Sequence, residues 1–328
     1  MQKKFLIYGE FWEGTLPSLL ENELRLRGYD VKIFDFTKIV PGISDRRIIN
    51  RLKRKIFSAW YERRVNLNFV EYAIEVKPDY IVVSKGLNLY PETVVSLRQI
   101  GAKLINWNPD DFFNVKNTND NLIKSFKHYD LIISSRPQLF DEYRDRGGNQ
   151  LLFIDWYYVP ELHHPRGGEF KHELTFVGSW SPFREEFLSK ISSQIAIWGG
   201  GWEKSSASFK GAHQVNAKII SQKEMSSIFS SSKYSLNLIT HENRDLSNLR
   251  FFEVCASGGL LITENNESST SYLIDGEDCL MYNTAEDVNQ ILAGNFDLSS
   301  IALNGYKKIT SGKNSFGDRV EQLLEALS

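Results

Sequence analysis

The chain has 328 residues, more than a single compact hydrophobic core usually holds, so two domains of ordinary size are expected. Its 39 basic and 41 acidic residues leave a formal net charge of -2, a balance that argues against nucleic acid as a partner. Its cysteines, Cys255 and Cys279, lack the spacing of a metal site or a disulfide framework, so a reduced, cytoplasmic protein is predicted.

The first half of the sequence alternates between short apolar runs and helical patterns. The apolar runs, in chain order, are KKFLIYG, YDVKIFDF, PDYIVVSKG, AKLINWNPDD and YDLIISSR. Helical patterns occupy LPSLLENELRLRG, which stops at Gly28, and then YPETVVSLRQIG and NDNLIKSFKHY. Strands of this length separated by helices are typical of a parallel sheet, so this half is predicted to be a doubly wound α/β domain.

A break in this rhythm marks the expected domain boundary. Residues 156–172 (WYYVPELHHPRGGEFKH) combine prolines, adjacent histidines and adjacent glycines, a composition typical of a linker. A second series follows, with apolar runs LTFVGSW, QIAIWGGG, YSLNLIT and GLLIT and helical patterns PFREEFLSKI, TAEDVNQILAG and FGDRVEQLLEALS. The prediction is an α/β fold of two Rossmann-like, doubly wound domains, 1–160 and 161–328, facing across a cleft. The last helix, with Val320, Leu323, Leu324 and Leu327 on one apolar stripe, is expected to pack back on the first domain.

The stretch SNLRFFEVCASGGLLIT (247–263) carries the most specific signal. Ser247 or Asn248 is a good N-cap, and Gly258 is well placed to end the helix before an apolar strand. Arg250 and Glu253 then fall at the helix start, where unpaired N–H groups and the positive end of the dipole suit a phosphate group. The spacing leaves an ordinary i,i+3 ion pair equally open as the explanation.

Together with LIDGEDCLMYNTAEDVNQIL further on, this helix resembles the donor-binding half of glycosyltransferases with the GT-B fold. Its Asn-x-Arg-x-x-Glu start, the glycine after the helix, the apolar strand and the DG loop are most similar to the spore maturation, CgeB-like glycosyltransferases. The likeness covers the C-terminal half, where FVGSWSPFREEFL also fits, whereas the N-terminal half is similar in architecture only. The resemblance implies a nucleotide-sugar donor, with Glu253 on the ribose hydroxyls and Arg250 facing the diphosphate.

The resemblance also bears on mechanism. Retaining members of the wider fold carry a Glu, seven residues and a second Glu, but Asp245 stands here at the first position, so the stereochemical outcome stays open. No cofactor or metal is expected, which means that side chains and the helix end would neutralise the leaving group. Further donor-site residues are predicted at the helix start, Ser247 and Asn248, and in loops after strands: Arg184, Arg244, Gly178, Ser179 and Gly201. Each arginine taken singly is more readily explained as a solvated surface side chain.

Two other motifs near this half give weaker signals. The run WGGGW (198–202) lacks the full G-x-G-x-x-G and the acid of a dinucleotide site, so it is predicted to be a sharp turn at a strand end. Base recognition is expected from backbone groups around 216–220. His163 and His164 indicate a metal only weakly, because no Cys, Asp or Glu cluster accompanies them at ligand spacing.

The acceptor is expected on the N-terminal half, at the loops GEFWEG and NWNPDD that follow two of its strands. An inverting transferase needs a base there to take a proton from the attacking hydroxyl, and Glu13, Asp110 and Asp111 are the candidates, with Asp110 slightly preferred. Adjacent acids after a proline are also common turn chemistry, which is the alternative.

The segment 46–64 (RRIINRLKRKIFSAWYERR) is basic and helical in pattern. Ile48, Leu52, Ile56 and Trp60 make one stripe, so the segment could contact anionic lipid or a polyanionic glycan. The favoured alternative is a stripe that faces the core beneath a solvated basic face. No apolar run reaches the roughly 18–20 residues of a membrane-spanning helix, so peripheral membrane association is the strongest contact expected.

These observations predict a metal-independent glycosyltransferase that moves a sugar from a nucleotide-sugar donor to a glycan, lipid-linked or other hydroxyl acceptor. Cell-surface polysaccharide synthesis is the expected setting. A sugar-nucleotide epimerase and a non-catalytic nucleotide- or carbohydrate-binding protein of the same fold remain the alternatives. Glu253→Ala is expected to weaken nucleotide binding without disturbing the fold, because Glu253 is predicted to lie at a helix terminus rather than in the core.

Overall fold

The computed structural model describes residues 2–40, 56–239 and 241–328. It divides into two compact units, one made of Met1–Asp155 with Val320–Ser328 and the other of Trp156–Arg319. Each unit is built on a six-stranded sheet whose neighbouring strands pair in parallel. Among the described residues, no helix has both the length and the apolar character needed to cross a membrane.

The strands of the first unit are β1 (Lys4–Gly9), β2 (Asp30–Asp35), β3 (Tyr80–Ser84), β4 (Lys103–Asn108), β5 (Leu131–Ser134) and β6 (Leu151–Phe153). The helices among them are α1 (Leu16–Leu26), α2 (Ser58–Val76), α3 (Pro91–Arg98), α4 (Asp120–Ser125) and α5 (Phe140–Asp145). Strand order is β2-β1-β3-β4-β5-β6, so the winding reverses between β1 and β3. Aromatic side chains of β1, β2 and α2 form much of the core, where the rings of Tyr8, Phe34 and Phe69 have centroids 4.6 to 5.7 Å apart.

The strands of the second unit are β7 (His172–Val177), β8 (Ile195–Trp198), β9 (Gln214–Asn216), β10 (Ser232–Leu236), β11 (Leu261–Glu264) and β12 (Leu280–Tyr282). Its helices are α6 (Pro182–Ser189), α7 (Ala207–Ala212), α8 (Gln222–Ser230), α9 (Leu249–Ala256), α10 (Glu267–Tyr272), α11 (Ala285–Ala293) and α12 (Leu298–Ser311). Strand order is β12-β11-β10-β7-β8-β9, with the reversal between β7 and β10. Helix α9 is enclosed, because all its residues from Phe251 to Ala256 are buried.

The last helix, α13 (Phe316–Leu327), starts in the second unit and ends in the first. Its predicted apolar stripe is buried at Val320 and Leu323, which have 0% exposure, and at Leu327, which has 8%. Within the first unit, Lys103 Nζ donates to the carbonyl oxygen of Ala326 at 3.5 Å.

The prediction of two Rossmann-like α/β sheets is confirmed, and each predicted apolar run contains a strand. The unpredicted strands β6, β9 and β12 have three residues each, too few to show a periodic pattern. Helix α12 was also unpredicted, because Gly305 in its middle weakens the local helical signal. That glycine lets α12 approach the chain closely, since a Cβ atom there would overlap the carbonyl oxygen of Asp278.

The basic segment 46–64 lies partly outside the described residues, which resume at Ile56. In the described part, the side chains of Ile56 and Trp60 are exposed by 65% and 52%. The favoured expectation of a core-facing stripe is therefore wrong for these two residues. Membrane contact through this segment remains a prediction.

Candidate functional site

In the second unit, the reversal of strand order places the ends of β7 and β10 side by side. Such a switch point is where open parallel sheets offer a crevice for ligands, outside the carboxyl ends of the strands. Val177 ends β7, and Asn237 directly follows β10. The loop after β10 leads to α9, so the predicted helix start is brought to this switch point.

Asn248, one of the two N-cap candidates, caps α9. Its Oδ1 accepts a hydrogen bond from the Phe251 N–H at 3.3 Å, and its Nδ2 donates to Asn237 Oδ1 at 2.9 Å. The first bond satisfies a backbone donor that a helix start leaves without an intrahelical partner. The second ties the helix start to the end of β10. Ser247 lies one residue earlier and is buried.

Arg250 and Glu253 form an ion pair across one turn of α9, between Nη1 and Oε2. Arg250 Nε also donates to the carbonyl oxygen of Val177 at 3.1 Å, so the guanidinium is held against the end of β7. The exposures differ sharply, because the Arg250 side chain is 30% exposed and that of Glu253 only 2%. The expected position of Glu253 outside the core is therefore wrong: the carboxylate is buried and supports an arginine that solvent can reach.

His163 reaches the second oxygen of the same carboxylate. Its Nε2 lies 3.7 Å from Glu253 Oε1 and 3.3 Å from Gln222 Oε1, and both the His163 and Glu253 side chains are 2% exposed. Burial lowers the pKa of His163, the negative charge of Glu253 opposes that shift, and Arg250 adds to it. Sequence reasoning treated this histidine only as a weak metal candidate. The one available signal was its place in an irregular segment rich in proline and glycine.

Arg184 lies near Arg250 and Asp245. Its Nη1 donates to the carbonyl oxygen of Ser179 at 2.8 Å, just after β7. Burial lowers the pKa of the Arg184 guanidinium, the positive charge of Arg250 lowers it further, and Asp245 raises it. Two of the predicted arginines thus share one electrostatic environment. Arg244 is exposed and has a positive φ of 52°.

The turn after β8 presses against the turn after β7. A Cβ atom on Gly199 would overlap the carbonyl oxygen of Gly178, which also accepts a hydrogen bond from Trp202 Nε1 at 2.7 Å. Gly201 has a φ of +88° and begins a single helical turn. The expected sharp turn at WGGGW is confirmed. This turn brings the ends of β7 and β8 together. Ile219 lies next to Gly200 of this turn.

In the first unit, the acidic candidates differ strongly in environment. Asp110 forms an ion pair with Lys85, with 2.7 Å between Oδ2 and Nζ. Asp111 is 1% exposed, and its Oδ1 accepts a hydrogen bond from the Phe113 N–H at 2.8 Å, closing a turn. Glu13 is exposed in a turn. This geometry favours a structural role for Asp111, whereas Asp110 and Glu13 are within reach of solvent.

Glu10, which the sequence reading passed over, directly follows β1 at the switch point of this sheet. It is partly buried, and burial raises the pKa of its carboxyl group; the charge of Lys85 lowers that pKa, and Asp35 raises it. Glu10, Lys85 and Asp110 therefore interact at the carboxyl ends of β1, β3 and β4. The available signal was position, because Glu10 is the first residue after the strand in GEFWEG.

No group of three or more His, Cys, Asp or Glu side chains suited to a metal ion occurs within residues 2–40, 56–239 and 241–328. His163 is engaged by Val159, Gln222 and Glu253, and His164 beside it is exposed. These contacts give no indication of a ligand that His163 and His164 would share.

Among solved structures, sucrose-phosphate synthase from Thermosynechococcus elongatus is similar over 99% of both chains, with a TM-score of 0.71 and 13% identity. The chain has the GT-B fold. An E. coli structure described as trehalose-6-phosphate bound with UDP-2-fluoro glucose covers 99% of both chains, with a TM-score of 0.65 and 11% identity. Anabaena HepE in complex with UDP and glucose matches over 99% of both chains, with a TM-score of 0.64 and 10% identity.

The sequence comparison adds family information for one part of this GT-B chain. Residues 184–325 match the family model described as glycosyl transferase-like. That segment contains Arg184, Arg250 and Glu253. A search of curated protein sequences finds no significant match. The similar structures share only 10 to 13% sequence identity with this chain, so they establish its fold alone. The roles of individual residues rest on the geometry described above.

Proposed function

We propose that this GT-B chain is a glycosyltransferase that moves a sugar from a nucleotide-sugar donor to a hydroxyl acceptor. In this proposal the second unit binds the donor and the first unit binds the acceptor. One observation carries it: a solvent-accessible arginine, held by a buried carboxylate, stands at the start of a helix at the switch point of a parallel sheet. The glycosyl transferase-like segment, 184–325, includes that helix.

The site suits the chemistry of the leaving group. Glycosyl transfer releases a nucleoside diphosphate, so negative charge grows on the diphosphate in the transition state. The N-terminus of α9 offers its dipole, Arg250 offers a fixed cation, and Arg184 adds a second positive charge nearby. These groups support a metal-independent reaction, and the similarity of the helix start supports assignment to the CgeB-like subfamily.

The proposed contact between Glu253 and the ribose is more demanding. With 2% exposure and one oxygen on Arg250, the carboxylate can meet a ribose hydroxyl only after local movement. Its direct contact is with Arg250. Glu253 is therefore proposed first as the residue that positions Arg250, and the ribose contact remains the prediction of the family resemblance.

On the acceptor side, an inverting reaction requires a carboxylate that can take the hydroxyl proton. Glu13, Asp110 and Asp111 stand as the original candidates, and Glu10 joins them. Asp110 is neutralised by Lys85, and Asp111 is committed to its turn. The raised pKa of Glu10 favours it, because a base whose pKa lies closer to neutrality accepts a proton more readily.

The proposal is tested by calorimetric titration of the protein with UDP, GDP, dTDP, CDP and ADP. UDP comes first, because two of the similar structures contain UDP or a UDP-sugar. We expect selective binding of one nucleotide and an increase of about tenfold or more in Kd for Arg250→Ala, since a charge-assisted contact to phosphate is lost. Lys190→Ala is the control, because Lys190 is 60% exposed and pairs with Glu186 on α6.

Binding of none of the five nucleotides would contradict the donor site. Equal binding by wild type and a folded Arg250→Ala variant would remove Arg250 from it. If the nucleotide binds but its sugar conjugate is neither transferred nor hydrolysed, the chain is a binding protein. Conversion to an epimeric nucleotide sugar without an acceptor would identify an epimerase.

A further inference from the structure

The segment before β7 contributes a side chain to the donor site that neither its sequence pattern nor the family resemblance assigns. We propose that His163 is a positioning residue: as the neutral tautomer with its proton on Nε2, it holds the Glu253 carboxylate, which in turn holds Arg250 at the end of β7. This inference rests on the proposed donor site for the role of Arg250. The contacts of His163 itself do not depend on it.

A backbone contact determines the protonation of one imidazole nitrogen. The Val159 N–H donates to His163 Nδ1 at 3.0 Å, so that nitrogen must carry a lone pair. The backbone N–H of His163 in turn donates to the Val159 carbonyl oxygen at 2.8 Å, which closes the segment 159–163 into a turn. The ring is therefore fixed by its own loop, and a neutral imidazole in this position carries its proton on Nε2.

The other side of the ring meets oxygen atoms. His163 Nε2 faces Gln222 Oε1 at 3.3 Å and Glu253 Oε1 at 3.7 Å. A nitrogen lone pair here would oppose both oxygens, whereas an N–H donates to Gln222 Oε1 and turns its positive end toward Glu253 Oε1, which lies beyond hydrogen-bond distance. The contacts of Nδ1 and those of Nε2 thus require the same tautomer.

The charge state follows from burial. His163 and Glu253 are both 2% exposed, and burial depresses the pKa of the imidazole. Of the surrounding groups, Glu253 and Gln222 raise that pKa, while Arg250 and His164 lower it. The positive end of a neutral N–H faces the second carboxylate oxygen without placing a second cation in competition with Arg250. The Glu253 carboxylate thus has Arg250 on one oxygen and the imidazole N–H near the other.

Five groups form one path of contacts from the loop to the sheet edge. It runs from the Val159 N–H through His163 and Glu253 to Arg250, and ends at the Val177 carbonyl oxygen, 3.1 Å from Arg250 Nε. Loss of His163 should remove the N–H that faces Glu253 Oε1, together with its hydrogen bond to Gln222, and allow the carboxylate to turn. Arg250 would then lose its fixed position, although its charge remains.

Nitrogen-15 NMR of the imidazole tests the path in the ligand-free protein. We expect the His163 ring to show the Nε2–H tautomer at neutral pH. Glu253→Gln should lower the pKa of His163 further, because it removes the charge that favours the imidazolium. Glu186→Gln is the control, since Glu186 is 71% exposed. An Nδ1–H tautomer, or a His163 signal that responds to Glu253→Gln no more than to the control, would overturn the inference.

Nucleoside diphosphate binding tests the consequence for the donor site. His163→Leu should raise Kd about tenfold, because Glu253 loses the polar group that faces it and Arg250 is no longer held in place. His163→Gln can still present an amide N–H to Glu253, so its Kd should stay within about threefold of wild type. His164→Ala, which changes the adjacent exposed histidine, should leave Kd unchanged.

Rescue by Gln separates positioning from a structural role. Equal losses in folded His163→Leu and His163→Gln variants, or a wild-type Kd in His163→Leu, would overturn the positioning role. If the wild-type protein binds no nucleoside diphosphate, the proposed function fails, and the NMR measurement alone then decides whether His163 holds Glu253.

Discussion

At the scale of single residues, the Arg250–Glu253 ion pair divides into one buried and one accessible side chain. The i,i+3 spacing of Arg250 and Glu253 left an ordinary surface pair and a phosphate-binding helix start equally open. In the structure the pair forms, and only the arginine remains accessible, at 30% against 2% for the glutamate. A buried carboxylate that fixes an exposed cation is a preorganised arrangement, and the anion it meets gains from that order.

Glu10 provides a test in the first unit that needs no knowledge of the substrate. Its folded pKa is raised, mainly by burial, so the folded state prefers the protonated carboxyl. The charged form therefore opposes folding above that raised pKa, and the penalty disappears as the pH falls below the ordinary value of about 4.3. We expect Glu10→Gln to raise the free energy of unfolding at pH 7 but not near pH 4.

Urea denaturation at the two pH values measures this effect, with the exposed Glu13→Gln as the matched control. The control should change neither value. A Glu10→Gln variant that is less stable than wild type at pH 7 would show that the charge of Glu10 is satisfied in the fold. That result would argue against its use as a base.

At the scale of elements, the proposed donor site depends on how closely strand ends approach each other. The turn after β8 contacts the turn after β7 through Gly199, whose φ of +150° is one that side-chain-bearing residues rarely adopt. Asn248 joins the start of α9 to the end of β10 through a side-chain hydrogen bond of 2.9 Å to Asn237. One of these two contacts thus depends on a glycine and the other on two side-chain amides.

Gly199→Ala should lower the free energy of unfolding by about 2 kcal/mol or more, because it adds backbone strain and a clash with the Gly178 carbonyl oxygen. Gly211→Ala is the control. Gly211 lies in α7 with open space around a Cβ atom, so alanine there should stabilise the chain by roughly 0.5–1 kcal/mol. Chemical denaturation of both variants gives the comparison. Equal effects of the two changes would contradict the close approach.

At the scale of the whole molecule, the two compact units are not simply the first and second parts of the sequence. The first unit is completed by Val320–Ser328, residues that follow the entire second unit in sequence. Their contribution is apolar, since Val320 and Leu323 are fully buried. The first unit therefore includes residues that are synthesised only after the whole of the second unit.

Leu323→Ala should lower the free energy of unfolding by about 3 kcal/mol, the usual cost of emptying a buried leucine position. Hydrogen exchange should rise in strands of the first unit, especially β4, because Lys103 at its start bonds to Ala326. The exposed Glu325→Ala should change stability by less than about 0.5 kcal/mol. Faster exchange confined to strands of the second unit would contradict this assignment.

Periodicity along the chain was enough to predict the parallel sheets, the course of α9 and the apolar stripe of α13, because these patterns depend on residues a few positions apart. It was also enough to single out Arg250 and Glu253 as a pair. Burial could not be inferred in this way. Glu253 was expected outside the core and Ile56 and Trp60 inside it, and the structure reverses both expectations.

Only the tertiary structure decided which distant groups meet. Arg250 bonds to Val177 across 73 positions of sequence, and the same fold brings the ring of His163 to Glu253. Glu10 likewise acquires its raised pKa from burial and from Asp35, opposed by Lys85. The physical reason is common to all three cases: the charge and position of a side chain depend on the groups packed around it, and those groups come from separate strands, loops and helices.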